Sequence, residues 1–456
     1  LGLFTAAAAA LTLLRAEASV LGGVELPEPE LIIHNAAVTT QNPGQPSASA
    51  VAVLDGLVQM VGSDKQVLAR AGKTTRLIDA GGRRLIPGLN DSHTHVVRGA
   101  RFYNLELRWE GVPSLEKGLA MIREQAASTP KGQWVRVIGG WSPFQFEEKR
   151  FPTIDELNAA APDHPVFVLY LYSRGFLNDA GMRALGIARD SEAPAGSHYE
   201  RDAQGNPTGV LVADPNPMSL YSTIAKFPQL SPTDQANSAR QFYRELNRFG
   251  LTSAIDAGGG GHTFPVDYSG TRALAESGEL PLRVSYYLFP QKPGRELQDF
   301  RDWMSITVPG ENHHAGLAHG YATRGGGEFL VWAAGDFENF MAEQPLQSEA
   351  MEPELKRVTM ELVRNRWPFR IHATYDESVS RVLKVLEAVN RDIPFDGLRW
   401  AIDHAETISP ANIQRIKRLG GGVAVQSRMA FAGEYFKQRY GAEAAGSAPP
   451  LRDLLE

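Results

Sequence analysis

No cysteine occurs among the 456 residues. Disulfides, thiolate nucleophiles and cysteine-based zinc sites are thereby excluded, so any metal must be held by histidines and carboxylates. An excess of one charge sign is also lacking. The 46 basic residues stand against 52 acidic ones, a formal net charge of −6, with no long run of either kind. That balance offers no electrostatic footprint for nucleic acid or an anionic membrane, and neither is expected as a partner. A small-molecule substrate is expected instead, with a homo-oligomer left open. An apolar run long enough to span a bilayer, about 20 residues, is missing at the front of the chain. The opening stretch from Leu1 to Leu14 is uncharged and apolar but too short. It suits the core of an export signal ahead of a small-residue cleavage site at Ala16-Glu17-Ala18, and equally a packed N-terminal helix. Export to the periplasm is expected if residues 1–18 are a signal remnant, and a cytoplasmic location otherwise.

What is present is ordinary globular material, 43% hydrophobic and 21% charged. The length exceeds one average domain, and a (β/α)8 barrel of about 250 residues with insertions and a small companion domain accounts for it. Residues 1–29 are set aside as signal remnant or helix. Residues 30–87 carry short apolar runs between Gly, Asn, Asp and Pro clusters, at Leu31–Ile33, Ala50–Val53, Val58–Val61 and Thr75–Ile78. These predict a small β-sandwich. Residues 88–456 predict the barrel, with an irregular insertion at about 100–230 that covers its mouth. From about residue 232 strand-like and helix-like segments alternate, which argues for parallel strands joined by crossover helices. One helix places Val379, Val382, Leu383, Leu386 and Val389 on a single face. Another opens with Ser409-Pro410, an N-cap followed by proline at the first helical position. Seven barrel strands are found, ending near His95, Asp256, Phe289, Ala334, His372, His404 and Gln426. The fold class is therefore α/β, a (β/α)8 TIM-type barrel lacking its eighth strand in this chain. The natural protein is expected to continue past Glu456, leaving a gap between the seventh strand and the first.

Histidines carry the chemistry. His93 and His95 stand two apart on a strand, so both rings share one face. His372 and His404 each end an apolar strand. Catalytic residues of such barrels converge at the C-terminal strand ends, where four imidazoles from three strands would suit zinc or another divalent transition metal. Asp256, before a run of glycines, either supports that site from behind or shapes a turn. His262, His313, His314 and His319 fall in loop-like sequence and are expected to be solvated. Among the insertion's aromatics, Tyr103, Trp109, Trp141, Phe144 and Tyr172 could line a substrate pocket, though packing is the default role of each.

The stretch IPGLNDSHTH from Ile86 to His95, with IHATYDESV and IDHAETI around His372 and His404, resembles the strand signatures of the amidohydrolase superfamily. More narrowly, the chain is similar to the amidohydrolase-3 branch, which includes N-substituted formamide deformylase. The resemblance runs from about residue 30 to the end. It implies a β-sandwich plus barrel, a catalytic metal, and hydrolysis of a non-peptide carbon–nitrogen bond. His93 and His95 would bind the first metal. His372 and His404 would bind metal, hold the hydrolytic water, or stabilise an oxyanion. Two features of the family are absent. The fourth-strand segment Gly327–Trp332 has no lysine to carry a carboxylate; Glu328 is either its replacement or a surface residue starting a strand. The eighth-strand aspartate that shuttles the proton has no counterpart either, as expected of a chain that continues past Glu456; only if the seventh and first strands pair and close the barrel must the shuttle be sought among Asp256, Glu328 and Asp403. A deaminase or lactonase on the same scaffold, or a metal-free barrel that only binds a ligand, are the other readings.

Overall fold

Apolar runs separated by tight turns give the first part of the chain its strands. The computed structural model describes residues 27–214, 217–309, 320–337 and 339–456. It divides into two units, Leu1–Gly88 and Leu89–Glu456. The possible export signal at residues 1–18, and His313, His314 and His319, lie outside the described residues.

In the first unit the strands are β1 (Leu31–His34), β2 (Ala37–Thr39), β3 (Ser47–Ala48), β4 (Ala50–Leu54), β5 (Leu57–Gly62), β6 (Arg76–Asp79) and β7 (Arg84–Leu85). They form a four-stranded sheet, β5-β4-β1-β6, and a three-stranded sheet, β3-β2-β7. Asp55 and Gly56, at φ 49° and 71°, turn β4 into β5; two successive positive φ values suit the right-handed twist of a two-residue hairpin. Ile32, Ala50, Ala52 and Val67 form the buried centre. The helix Asp64–Leu68 that contributes Val67 starts from a reciprocal cap between Ser63 and Gln66.

The second unit opens with β8 (Leu89–Thr94). The insertion that follows is more regular than its sequence predicts. It holds β9 (Glu106–Leu107), β10 (Val135–Val137), β11 (Val166–Tyr170), β12 (Arg174–Leu177), β13 (Ser197–Arg201) and β14 (Pro207–Ala213). These make one mixed sheet in the order β13-β14-β12-β11-β10-β9. Trp109 and Trp141 are fully buried in the core against it, so their role is packing.

The remaining strands are β15 (Leu251–Asp256), β16 (Arg283–Leu288), β17 (Tyr321–Gly326), β18 (Phe369–Ala373), β19 (Trp400–His404) and β20 (Gly422–Ala424). With β8 they form a seven-stranded parallel sheet in the order β20-β19-β18-β17-β16-β15-β8. This is a nearly closed barrel whose edge strands, β8 and β20, do not pair with each other among the described residues. Crossover helices cover it. The face of helix Asp376–Asp392 formed by Val379, Val382, Leu383, Leu386 and Val389 is fully buried, each side chain contributing about 1.5–3 kcal/mol by leaving water. No helix among the described residues is long and apolar enough to cross a membrane.

One strand is not where the sequence predicts it. The apolar run Phe329 to Ala333, expected to be the strand ending near Ala334, is no strand; Trp332–Ala334 is a 3-10 turn. The fourth barrel strand is β17, the segment YATRGG. A side chain at Gly325 would collide with the Pro368 carbonyl, and one at Gly326 would meet the Phe300 ring at 2.5 Å. Close packing thus demands glycines where an apolar signal was sought.

Candidate metal centre

Moving the fourth strand places Glu328 just beyond its C-terminal end. Glu328 is buried, which rules out the surface role that a strand-starting residue would have had. Around it stand His93 from β8, His95 just after it, His372 from β18 and His404 from the end of β19. His93 Nε2 lies 3.6 Å from Glu328 Oε2 and His95 Nε2 lies 3.4 Å from Oε1. His372 Nδ1 is 3.2 Å and His404 Nε2 2.9 Å from Oε2. Ligand atoms of His93, Glu328 and His404 all fall within 4.8 Å of one another.

The far side of each ring is fixed by a different element. His95 Nδ1 contacts the Gly258 carbonyl oxygen at 2.5 Å. As a donor there, Nδ1 leaves the Nε2 lone pair facing Glu328. His93 Nδ1 lies 3.2 Å from Asp403 Oδ1, and its Nε2 is a buried atom with no hydrogen-bond partner. Asp336 Oδ1 lies 3.1 Å from His372 Nε2, while Oδ2 accepts the backbone N–H of Thr374 and Tyr375. Arg428 donates to His404 Nδ1 at 3.0 Å and to Glu406 at 2.9 Å. Because a guanidinium can only donate, His404 Nδ1 accepts, and its Nε2–H points at Glu328.

Charge follows from these surroundings. Burial pushes His93 below its ordinary pKa, and burial together with Arg98 pushes His95 well below. Both are neutral imidazoles, the form that binds metal. Burial opposes a charge on His372 too, but hydrogen bonds to Asp336 and Glu328 prevail and raise it well above the ordinary value. Burial likewise works against ionisation of Glu328, yet hydrogen bonds from His372 and His404 hold it well below the usual carboxylate range. An orphaned nitrogen, two neutral imidazoles with anchored far sides and an ionised carboxylate at their focus fit a divalent transition metal.

Beneath this cluster, inside the barrel, Arg370 donates through Nε to both oxygens of Asp403 at 3.1 and 2.9 Å and through Nη2 to Oδ1. Its Nη1 reaches the Ser92 carbonyl at 2.7 Å, and Nη2 lies 3.1 Å from His93 Nδ1. One side chain from β18 therefore ties β19 to β8. Asp256 does not face the centre. Its oxygens accept the backbone N–H of Val97 at 2.6 Å and of Gly258 at 2.7 Å. Burial pushes its pKa up to about 7. It shapes the turn that presents the Gly258 carbonyl to His95. His262, expected to be solvated, is buried instead, packed on the Tyr268 ring. Tyr172 lines the recess over the histidines; Phe144 packs against Tyr435, and Tyr103 against Phe242. Asp336, Arg370 and Arg428 went unremarked in the sequence, since nothing in their local pattern marks them.

The family model of the amidohydrolase family matches residues 76–456. N-substituted formamide deformylase of Arthrobacter pascens is 32% identical over 233 residues, covering 50% of this chain and 42% of that protein. The chain thus matches less than half the length of that relative. Protein LONG AFTER FAR-RED 3 of Arabidopsis thaliana is 23% identical over 413 residues, 87% of this chain and 68% of its own length. Among solved structures, an uncharacterized metal-dependent hydrolase from Pyrococcus horikoshii superposes with a TM-score of 0.62 at 18% identity, covering 93% of this chain and 80% of its own.

Proposed function

This chain belongs to the amidohydrolase family, and from that premise we propose that it is a metal-dependent hydrolase cleaving a non-peptide carbon–nitrogen bond of amide or formamide type. The observation that carries this reading is the convergence of His93, His95, His372 and His404 on the buried carboxylate of Glu328 at the C-terminal strand ends. The likeness to a formamide deformylase supports the bond type. The two sheets of the first unit are read as the small β-sandwich that usually accompanies such a barrel.

His93 and His95 would hold the metal through Nε2, with Glu328 as the carboxylate ligand in place of a modified lysine. A divalent cation, zinc by the donor set, would lower the pKa of a water towards about 7 and polarise the scissile carbonyl. The protein's own groups do the rest. Asp336 fixes the His372 ring. Arg428 keeps the His404 Nε2–H directed into the site, where it can stabilise an oxyanion. Asp403, held ionised by Arg370, and Asp256, with both oxygens on backbone amides, position His93 and the His95 anchor and do not reach the reacting atoms.

Metal analysis of the purified protein tests this, followed by a panel of formamides, amides, cyclic imides and lactones. One zinc or more per chain and zinc-dependent amine release, lost in Glu328→Ala, are expected. Turnover confined to lactones, or protein that neither carries nor takes up metal, would sink the reading.

A further inference from the structure

A separate cavity, of about 430 Å³, shares no lining residue with the recess over the histidines. Its walls come from the segments that follow β18 and β19 and from the helices Met429–Ser447 and Leu451–Leu455. That volume falls within the range of about 300–1,000 Å³ common to small-molecule sites.

Two of its lining residues, Glu406 and Tyr375, are no more than 1% exposed. Each carries a buried oxygen with no hydrogen-bond partner, Oε2 of Glu406 and the hydroxyl of Tyr375. The other Glu406 oxygen is engaged, since Oε1 accepts from Arg428 Nε at 2.9 Å. Polar oxygens left buried without a partner cost stability, and a ligand that brings donors relieves that cost. A carboxylate oxygen only accepts, and a phenol accepts as readily as it donates, so a group rich in N–H donors suits both.

The rest of the wall selects the charge and the body of such a ligand. Asp376, Glu377 and Asp453 join Glu406 there, and no lysine, arginine or histidine lines the cavity. Phe436 and Tyr440, with ring centroids 4.6 Å apart, form an aromatic side. A bare Mg²⁺ or Ca²⁺ asks for about six or more oxygens around it. Aromatic faces beside carboxylates favour an organic cation, whose charge sits against both and whose carbon chain covers the rings.

We propose that this cavity is a second ligand site and binds a primary ammonium ion carried on a short alkyl or aryl group, with its N–H donors on Glu406 and Tyr375. The site touches the metal centre through one residue, because Arg428 also donates to His404 Nδ1 at 3.0 Å. Neither the site nor its charge preference depends on which bond the metal centre cleaves. A free amine and a lysine side chain offer the same group.

Calorimetric titration of the full chain at pH 7 tests this with benzylammonium, butylammonium and Nα-acetyllysine methylamide. Benzyl alcohol lacks the charge, benzyltrimethylammonium has the charge without the donors, and Mg²⁺ stands for a metal ion. Zinc-loaded and metal-stripped protein are both used, because a free amine also coordinates metal. In both states at least one primary ammonium should bind tenfold or more tightly than the alcohol and the quaternary ion. The lysine derivative binding more tightly than butylammonium assigns the site to a side chain, and the reverse order to a free amine. Glu406→Gln should weaken the ammonium tenfold or more. Tyr375→Phe should weaken it at least threefold without lowering stability in urea, since the hydroxyl it deletes has no partner in the free protein. A merely structural tyrosine would lose stability and leave affinity unmoved. Should Glu406→Gln not fold, Tyr375→Phe and the wild-type comparison decide. No ammonium binding, binding confined to zinc-loaded protein, equal affinity for the alcohol or the quaternary ion, preference for Mg²⁺, or unchanged affinity in Tyr375→Phe would overturn the proposal.

Discussion

Removing either member of the Arg370–Asp403 pair should be among the most damaging single changes in the barrel. Both side chains are buried, and Arg370 spends its donors on Asp403, the Ser92 carbonyl and the neighbourhood of His93 Nδ1. Taking away one partner leaves an uncompensated charge in a low-dielectric interior, which costs about 3–5 kcal/mol. That is a large share of the roughly 5–15 kcal/mol that holds a typical fold together. Arg370→Met and Asp403→Asn should each lose about that much in urea unfolding at pH 7, followed by the fluorescence of the seven tryptophans. The double variant removes both charges, so its loss should fall well short of the sum, with a coupling of up to about 3 kcal/mol. Burial alone would raise the pKa of Asp403; Arg370 and His93 outweigh it and hold the carboxyl at about 2, against an ordinary 3.8. The folded state thus favours the ionised form. Its contribution, about 2 kcal/mol, is fully present above the unfolded pKa and is lost as pH falls through about 2. The stability gap between wild type and Asp403→Asn should accordingly narrow below about pH 4. Single variants costing under about 1 kcal/mol, additive losses in the double variant, or a gap that widens in acid would each refute the reasoning.

Other perturbations probe the centre itself. Gly258 sits at φ 83°, and a side chain there would collide with the Gly327 carbonyl; Gly258→Ala should cost roughly 2–4 kcal/mol in thermal unfolding and loosen the anchor of His95. Glu328→Gln should weaken zinc binding at least about tenfold in a chelator competition, about 1.4 kcal/mol, and unchanged affinity would remove Glu328 from the ligand set. Asp336→Asn leaves every proposed ligand in place yet frees the far side of His372, and a loss of about 10–100-fold in metal affinity or turnover is expected.

The parts of the fold that show in sequence are those whose signal is local. Phe369 to Ala373 and Trp400 to His404 read as strands because almost every side chain on them is buried, and Leu31 to Ile33 because Ile32 sits at the centre of the first unit. The helix Asp376–Asp392 announces itself by one clean face. β17 does not, because the Phe300 ring and the Pro368 backbone press so close that glycines must occupy Gly325 and Gly326. The adjoining apolar run at Phe329–Val331 then imitates the missing strand. With β17 ending at Gly326, Glu328 falls just past a strand end and is buried, whereas the apolar run alone would put it at a strand start on the surface. The histidines at the strand ends could be paired by motif. Asp336, Arg370 and Arg428 could not, since each acts on a partner that is distant in sequence.

The Glu328 cluster also has a history within each molecule. His93 leaves the ribosome early, and His404 follows only after roughly 300 more residues, about 15–60 s of synthesis at 5–20 residues per second. For most of that interval the first strand's two imidazoles exist without Glu328, His372 or His404. A nascent chain therefore offers at most a two-nitrogen chelate, open to whichever ion is abundant. Only the arrival of β17, β18 and β19 can convert it into a selective site. Which metal the proposed centre would take is thus a question about when the cell loads it, before or after the barrel assembles, as much as about the donor atoms it finally presents.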